Sequence, residues 1–244
     1  MSGARLTLAA RVRKLEVSPT VAMAQRAGAL KALGIKVYNF TVGEPDQPTP
    51  PAIVAAAYEA MKAGRTRYTP AAGLPELREA VARRYRKSWG APFATEHVTI
   101  TVGGKQALAL LYQVLLDRGS EVVVPTPCWP TFAEAARIAG GRPALLPLSE
   151  RNGFTLTARA VKGAIGPKTR AVLVNSPCNP TGAVVDPDEL VKIARLARRK
   201  GVFLIYDVPY SHLIFRDNGT PALDAVAEAA GEGFVVTGTM SKAY

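Results

Sequence analysis

The sequence predicts an α/β protein built on a mostly parallel β-sheet. Short apolar runs alternate with longer amphipathic segments along most of the chain, as expected when strands and helices follow one another. The short runs are nearly unbroken stretches of Val, Ile and Leu, which is typical of strands covered on both faces. With 244 residues, of which 48% are hydrophobic, the chain is long enough to bury a large core.

Each predicted strand is an apolar run that ends at a loop, and each predicted helix carries apolar residues at helical spacing. The predicted strands cover residues 97–102, 121–124, 143–146, 170–174, 202–206 and 234–237. The predicted helices cover residues 51–63, 75–87, 105–116, 131–139, 187–200 and 222–230. Residues before about 50 are punctuated by Pro and Gly, and we expect them to wrap over the main domain.

Composition limits the classes of protein. No apolar run approaches the ~20 residues of a membrane span, so we expect a cytoplasmic protein without a membrane partner. Cys128 and Cys178 are too few for a disulfide framework and lack metal-ligand spacing, so we expect reduced thiols and no metal site. The net charge of +12 raises nucleic-acid binding as a possibility, but the basic residues are scattered over helical patterns without aromatic stacking partners. We therefore favour solvated helix faces and no nucleic-acid partner.

Ligands of open α/β sheets bind at the carboxyl ends of strands, so the loops after the strands carry the candidate site. Gly103 and Gly104 follow a predicted strand and open a helix, an arrangement that suits a phosphate but also an ordinary tight connection. Asp207 ends a buried apolar run and needs a partner, for which a helix cap or an ion pair is the plain alternative.

The other loops have equally plain alternatives. Trp129 and Tyr210 follow strands and suit the core as well as a ligand. Residues 175–182, Asn-Ser-Pro-Cys-Asn-Pro-Thr-Gly, contain a good turn sequence. Lys242 follows the apolar run 234–237 and a short loop, and a single lysine is ordinarily a surface charge.

Four motifs, taken in chain order, resemble the cofactor site of class I aminotransferases. They are Gly-Gly-Lys-Gln at 103–106, the 175–182 string, Asp-Val-Pro-Tyr at 207–210 and Thr-Met-Ser-Lys at 239–242. These are fold type I enzymes that use pyridoxal 5'-phosphate (PLP). The resemblance covers essentially the whole chain. It implies the three-layer large domain of that fold over residues 46–244, and an N-terminal arm with part of the small domain over residues 1–45.

The resemblance implies a role for each residue around the cofactor ring. Lys242 corresponds to the Schiff-base lysine that also moves protons during catalysis. Asp207 faces the pyridine nitrogen, and Asn179 and Tyr210 bond the phenolate oxygen. Trp129 stacks on the ring, although Cys128 stands where the family usually has tyrosine.

The resemblance also implies how the phosphate and the substrate are held. The cofactor phosphate and its surroundings would involve Gly103, Gly104, Lys105, Gln106, Thr239, Ser241 and Tyr68. Tyr68 would reach the neighbouring subunit, which implies a homodimer. The amino-acid substrate would contact Gly43, Asn179, Lys105 and Thr20, with Ser18 beside Thr20. In one bacterial subgroup the residues matching Lys105, Ser18 and Thr20 help to hold the distal carboxylate of an acidic substrate. The resemblance therefore favours aspartate or glutamate as amino donor and a 2-oxo acid as acceptor.

Several alternatives stay open. An aromatic or prephenate aminotransferase and a C–S lyase share the same motifs. A PLP-binding regulatory module would need a helix-turn-helix domain before residue 45, where there is no room for one. The family continues beyond its lysine through a Gly-Trp-Arg segment into a small domain, so the resemblance implies a large domain incomplete at the C-terminus. We therefore expect the 244-residue chain alone to be an inactive, non-catalytic fragment.

Overall fold

The computed structural model describes residues 6–13, 15, 19–40, 43, 45, 47–214 and 223–244. The chain divides into two compact units, residues up to 48 and residues from 49 onward. In the smaller unit, α1 spans Ala10–Arg13 and α2 spans Pro19–Ala32. The sequence patterns did not predict α2, because its apolar and polar residues are only weakly segregated and its helicity comes from Ala, Leu, Met and Lys, which favour helices intrinsically.

The larger unit alternates strands and helices. Its helices are α3 (Pro51–Lys62), α4 (Pro75–Trp89), α5 (Gly103–Leu115), α6 (Thr131–Ile138), α7 (Ala158–Ala164), α8 (Pro187–Lys200) and α9 (Leu223–Ala230). Its strands are β1 (Glu121–Thr126), β2 (Arg142–Pro147), β3 (Thr169–Asn175), β4 (Phe203–Asp207) and β5 (Phe234–Thr237). Within the described ranges, no helix is long and apolar enough to cross a membrane.

The five strands form one parallel sheet in the order β2-β1-β3-β4-β5. This confirms the predicted α/β class and the parallel sheet. After β2 the chain returns across β1 to add β3 on its other side, so the connections change direction between β1 and β3. Ligand crevices of doubly wound sheets lie at such a switch point, at the carboxyl ends of the strands.

The sheet has a hydrophobic core on each face. Alternate residues of one strand belong to different cores: Val123 belongs to the core that contains residues of α8 and α9, whereas its neighbours Val122 and Val124 belong to the core that contains residues of α5 and α6. This period of two is the strand geometry itself. It explains why the central strands read as nearly unbroken apolar runs, since both faces of these strands are largely covered.

The predicted strand at 97–102 is wrong. Thr95–His97 forms a single 3₁₀ turn, and the residues that follow are extended but pair with no strand among the described residues. Their backbone groups are satisfied otherwise: the Ile100 N–H donates to the Ala72 carbonyl at 2.9 Å, and the Arg78 guanidinium donates to the Val98 carbonyl at 2.7 Å. An apolar run predicts burial, but it does not say which groups take its hydrogen bonds.

Candidate active site

Three polar residues end neighbouring strands at the carboxyl edge of the sheet. Asn175 ends β3, Asp207 ends β4 and Thr237 ends β5. In the sheet register, Asp207 pairs with Asn175 on one side and with Thr237 on the other. Residues paired in this way on parallel strands point to the same face, so the register alone brings the three side chains together.

Asp207 is a buried carboxylate bonded only by neutral groups. It is 5% exposed; the Thr237 hydroxyl donates to its Oδ1 at 2.6 Å and the Asn175 amide donates to its Oδ2 at 3.0 Å. Burial raises the pKa of Asp207 from 3.8 to about 6, and the two hydrogen bonds oppose that rise. The ion pairs found between described residues do not include Asp207. A cation beside this carboxylate would therefore stabilise its ionised form.

The hydrogen bonds continue from Asp207 into the loop after β3. The Oδ1 of Asn175 accepts from the backbone N–H of Asn179 at 2.8 Å. The Asn179 amide then donates to the Tyr210 hydroxyl at 3.2 Å. Burial raises the pKa of that hydroxyl, which keeps Tyr210 neutral and able to donate. Asn179 and Tyr210, predicted as partners of one ligand oxygen, thus lie within hydrogen-bond distance of each other.

Trp129 lies in the loop after β1, at the switch point of the sheet. Its ring meets Phe132 edge to face, with 5.5 Å between the ring centroids. The Lys105 ammonium lies 5.2 Å from the Trp129 ring centroid, within range of a cation–π contact. The half-buried indole therefore offers a flat apolar surface beside a positive charge.

The start of α5 lies against the loop after β5. Gly103 has a φ of +75°, and a Cβ on Gly104 would stand 3.6 Å from the Gly238 carbonyl and 3.8 Å from Thr239. Thr239 and Ser241 share a hydrogen bond of 3.0 Å between their hydroxyls. A helix N-terminus beside two hydroxyls suits an anion such as phosphate.

Gln106 at this edge already has a local partner, and Lys242 lies in a local turn. The Gln106 side chain accepts from the Val102 N–H at 2.6 Å, so its oxygen caps the helix rather than facing a ligand. Lys242 is half-buried in a turn after β5, which Ala243 and Tyr244 close by donating to the Met240 carbonyl.

The described structure does not test the remaining predicted residues. Tyr68 is fully exposed in the loop after α3. Gly43 and Thr20 belong to the smaller unit, and the side chain of Thr20 lies outside the described part, as does Ser18. The roles predicted for all four stay predictions.

The sequence patterns missed four residues near Asp207. Asn175 and Thr237 are its direct partners, and the signal that was available is that both end apolar strands.

Two buried tyrosines are the other missed residues. The Tyr85 hydroxyl stands 2.6 Å from where a Cβ on Gly238 would lie. Burial, and after it the charge of Asp207, raise the pKa of Tyr85 to about 12. Tyr112 is fully buried, and its hydroxyl has no hydrogen-bond partner among the described residues; burial, Asp207 and Cys128 raise its pKa. Tyr85 and Tyr112 read as core aromatics in sequence.

The fold and these groups define the class of protein. It is a parallel α/β protein whose carboxyl edge suits a flat, phosphorylated ring with a basic nitrogen. Asp207 offers a buried carboxylate, Trp129 offers a flat apolar surface, and the start of α5 with Thr239 offers a site suited to an anion.

Comparison with known proteins gives the family. Residues 35–244 match the family described as Aminotransferase class I and II, and the chain belongs to that family. The chain is 40% identical over 213 residues to a probable aspartate/prephenate aminotransferase of Aquifex aeolicus, covering 87% of this chain and 54% of that relative. It is 40% identical over 210 residues to an aspartate aminotransferase of Geobacillus stearothermophilus, covering 86% and 53%.

The fold of a solved relative agrees closely. The structure of aspartate aminotransferase from Thermus thermophilus with maleate superposes with a TM-score of 0.93 at 38% identity, covering 98% of this chain and 62% of that one. The chain thus spans between about half and two thirds of the length of the relatives it matches.

Proposed function

We propose that this protein is a PLP-dependent aminotransferase that moves an amino group between an amino acid, aspartate or glutamate by preference, and a 2-oxo acid. The observation that carries the proposal is the buried Asp207, whose carboxylate has neutral hydrogen-bond donors on both oxygens and no described cation. A protonated pyridine nitrogen is the kind of partner that would repay the burial of this charge. The aminotransferase relatives support the same assignment.

The residues of the carboxyl edge fit PLP. When bound, PLP supplies an aldehyde and an electron-withdrawing ring that stabilises negative charge at the substrate's Cα. Asp207 would keep the ring nitrogen protonated, and Trp129 would cover one ring face. The Asn179 amide and the Tyr210 hydroxyl would both donate to the ring oxygen, and the α5 start with Thr239 and Ser241 would bind the phosphate.

Lys242 would carry both attachment and proton transfer. Its place in the chain, directly after β5 and the Thr239 loop, supports this role. Its amine would hold the cofactor between turnovers and, once released, would remove the proton from the substrate's Cα.

Lys105 supports a preference for dicarboxylic substrates. Its ammonium lies beside the Trp129 ring and has no acidic partner among the ion pairs between described residues. A distal carboxylate of aspartate or glutamate would meet this charge at the edge of the stacking surface. Prephenate is the second candidate acceptor, because it also carries a second carboxylate and three of the relatives are named for it.

We also propose a homodimer, which the surface of the larger unit supports. Helix α3 buries no residue, although Ile53, Val54, Tyr58 and Met61 lie on it. Exposed apolar helices of this kind are typical of protein interfaces. Tyr68, fully exposed in the loop that follows α3, would then be available to the neighbouring subunit's cofactor.

The test is to load the protein with PLP, reduce it with borohydride and map the labelled peptide. We expect the pyridoxyl group on Lys242 and, in a chain extended through the small domain that the resemblance implies, amino transfer from aspartate to 2-oxoglutarate before reduction. Lys242→Ala should abolish both, whereas the control Lys162→Ala, on the outer helix α7, should keep both. A label on another lysine, or no amino transfer by the PLP-loaded extended chain before reduction, would contradict the proposal.

A further inference from the structure

The two cysteines of the chain line one cavity at the switch point between β1 and β3. Cys128 lies in the loop after β1 and Cys178 in the loop after β3, and the rest of this cavity is mostly apolar. The Cys178 thiol donates to the Pro127 carbonyl at 3.7 Å, and that carbonyl belongs to the peptide bond that leads into Cys128. The two thiols therefore belong to adjoining loops, although they are 50 residues apart in sequence.

We propose that Cys128 and Cys178 form a reversible disulfide when the protein meets a low-molecular-weight disulfide, and that this bridge weakens binding of PLP. The first half depends only on the two loops. The second half rests on the proposed function, because it concerns the same carboxyl edge.

The two loops lie close enough for such a bridge. A carbonyl oxygen lies about 3 Å from the following Cα, so the Cys178 sulfur lies within about 7 Å of the Cys128 Cα. With an S–S bond of about 2.0 Å, each sulfur of a disulfide lies roughly 4 Å from the Cα of the other cysteine. An approach of at most about 3 Å by the two loop segments is therefore sufficient. Neither cysteine lies within a helix or strand.

The surroundings of the thiols set the order of the reaction. Burial, with Cys178 adding to it, raises the pKa of the Cys128 thiol to about 11, so its reactive thiolate is scarce at neutral pH. Cys178 would attack the small disulfide first, forming a mixed disulfide and releasing one thiol. Cys128 would then attack the Cys178 sulfur and release the second thiol. The two protein thiols are oxidised by two electrons in total, and the small disulfide is reduced to two thiols.

The bridge would act on residues assigned to the cofactor. Cys128 directly precedes Trp129, and Cys178 directly precedes Asn179. Asn179 also bonds Asn175 through its backbone N–H, and Asn175 in turn bonds Asp207. Drawing the two loops together would turn the stacking ring and shift the first members of this hydrogen-bond chain. Affinity for PLP should fall by at least tenfold.

Peptide mapping after treatment with oxidised glutathione tests the bridge. Trypsin should release one cross-linked species that joins residues 119–137 to residues 171–192, and dithiothreitol should separate them. Cys128→Ser should trap glutathione on Cys178. In Cys178→Ser, glutathione should modify Cys128 about tenfold more slowly than it modifies Cys178 in Cys128→Ser. The raised pKa makes the Cys128 thiolate scarce, and the greater nucleophilicity of that thiolate offsets this only in part. Absence of the cross-linked species, or cross-links only between molecules, would overturn the proposal.

A PLP titration, followed by absorbance, tests the consequence. Oxidised wild-type protein should bind at least tenfold more weakly than reduced protein and should recover with dithiothreitol, whereas the Cys128→Ser/Cys178→Ser variant should not respond to the oxidant. Equal affinity of bridged and reduced protein would refute the effect on PLP. Failure of the reduced protein to bind PLP would instead refute the proposed function, and the peptide map would still decide whether the bridge exists.

Discussion

Asp207→Asn should make the cofactor-free protein more stable at neutral pH. The folded state raises the pKa of this carboxyl from 3.8 to about 6, so folding disfavours its ionised form. Asn has nearly the same shape and stays neutral. Its oxygen can accept from Asn175, and its amide can donate to Thr237, whose hydroxyl can turn to accept.

The size of the gain depends on pH. Because the folded-state pKa is raised, stability associated with the neutral carboxyl is complete below about pH 3.8 and is lost as the pH rises through about 6. Above that range the ionised Asp207 lowers the free energy of unfolding by roughly 3 kcal/mol, and at pH 5 by about half of that. The stability gap between Asp207→Asn and wild type should therefore widen by about 1.5 kcal/mol from pH 5 to pH 8.

Urea unfolding of cofactor-free protein at several pH values measures this gap. Asp117→Asn, at an exposed loop position, is the matched control and should show no comparable pH-dependent gap. Saturation with PLP should reverse the ranking of wild type and Asp207→Asn, because the ring nitrogen then supplies the missing positive charge. A gap that stays constant between pH 5 and pH 8 would refute the reasoning, since a neutral effect of shape alone has no pH dependence.

Three further substitutions test other parts of the edge. Lys105→Ala should lower kcat/KM for aspartate far more than for alanine; an equal fall for both donors would indicate a phosphate or structural role. Gly238→Ala should cost about 1–3 kcal/mol in urea unfolding because its Cβ would meet the Tyr85 hydroxyl, and Tyr85→Phe should restore part of that loss, whereas the uncrowded Gly163→Ala should be tolerated. Tyr112→Phe should leave stability unchanged or raise it by about 1–3 kcal/mol, since the hydroxyl has no partner; a clear loss would reveal one.

Much of the fold was predictable because both faces of the sheet are covered. The predicted strand at 234–237 matches β5, and that at 202–206 differs from β4 by one residue at each end. The same rule failed at 97–102, where backbone groups bond Ala72 and Arg78 instead of a strand. Helix α7 was not predicted, because seven residues give too short a periodic pattern.

The candidate site was predictable only as separate loops. Motif order made Asp207 and Asn179 candidates from the sequence, and their roles stay predictions, yet it said nothing of Thr237, which ends a strand with an ordinary apolar pattern. What joins Thr237 to Asp207 is the register of β4 against β5, a long-range property that no local pattern encodes. The unpartnered hydroxyl of Tyr112 is likewise visible only once α5 packs on the sheet.

The in-register pairing of Asn175, Asp207 and Thr237 gives the protein two independent adjustments of one acid. Each neighbouring strand contributes a single donor, and each donor reaches a different oxygen of the carboxylate. Removing either donor would raise the pKa of Asp207 by a separate amount. Asp207, its backbone and the other donor would stay in position. If Asp207 faces the cofactor ring as proposed, an engineer could adjust how strongly the bound ring withdraws electrons by substitutions on the flanking strands, without altering Asp207.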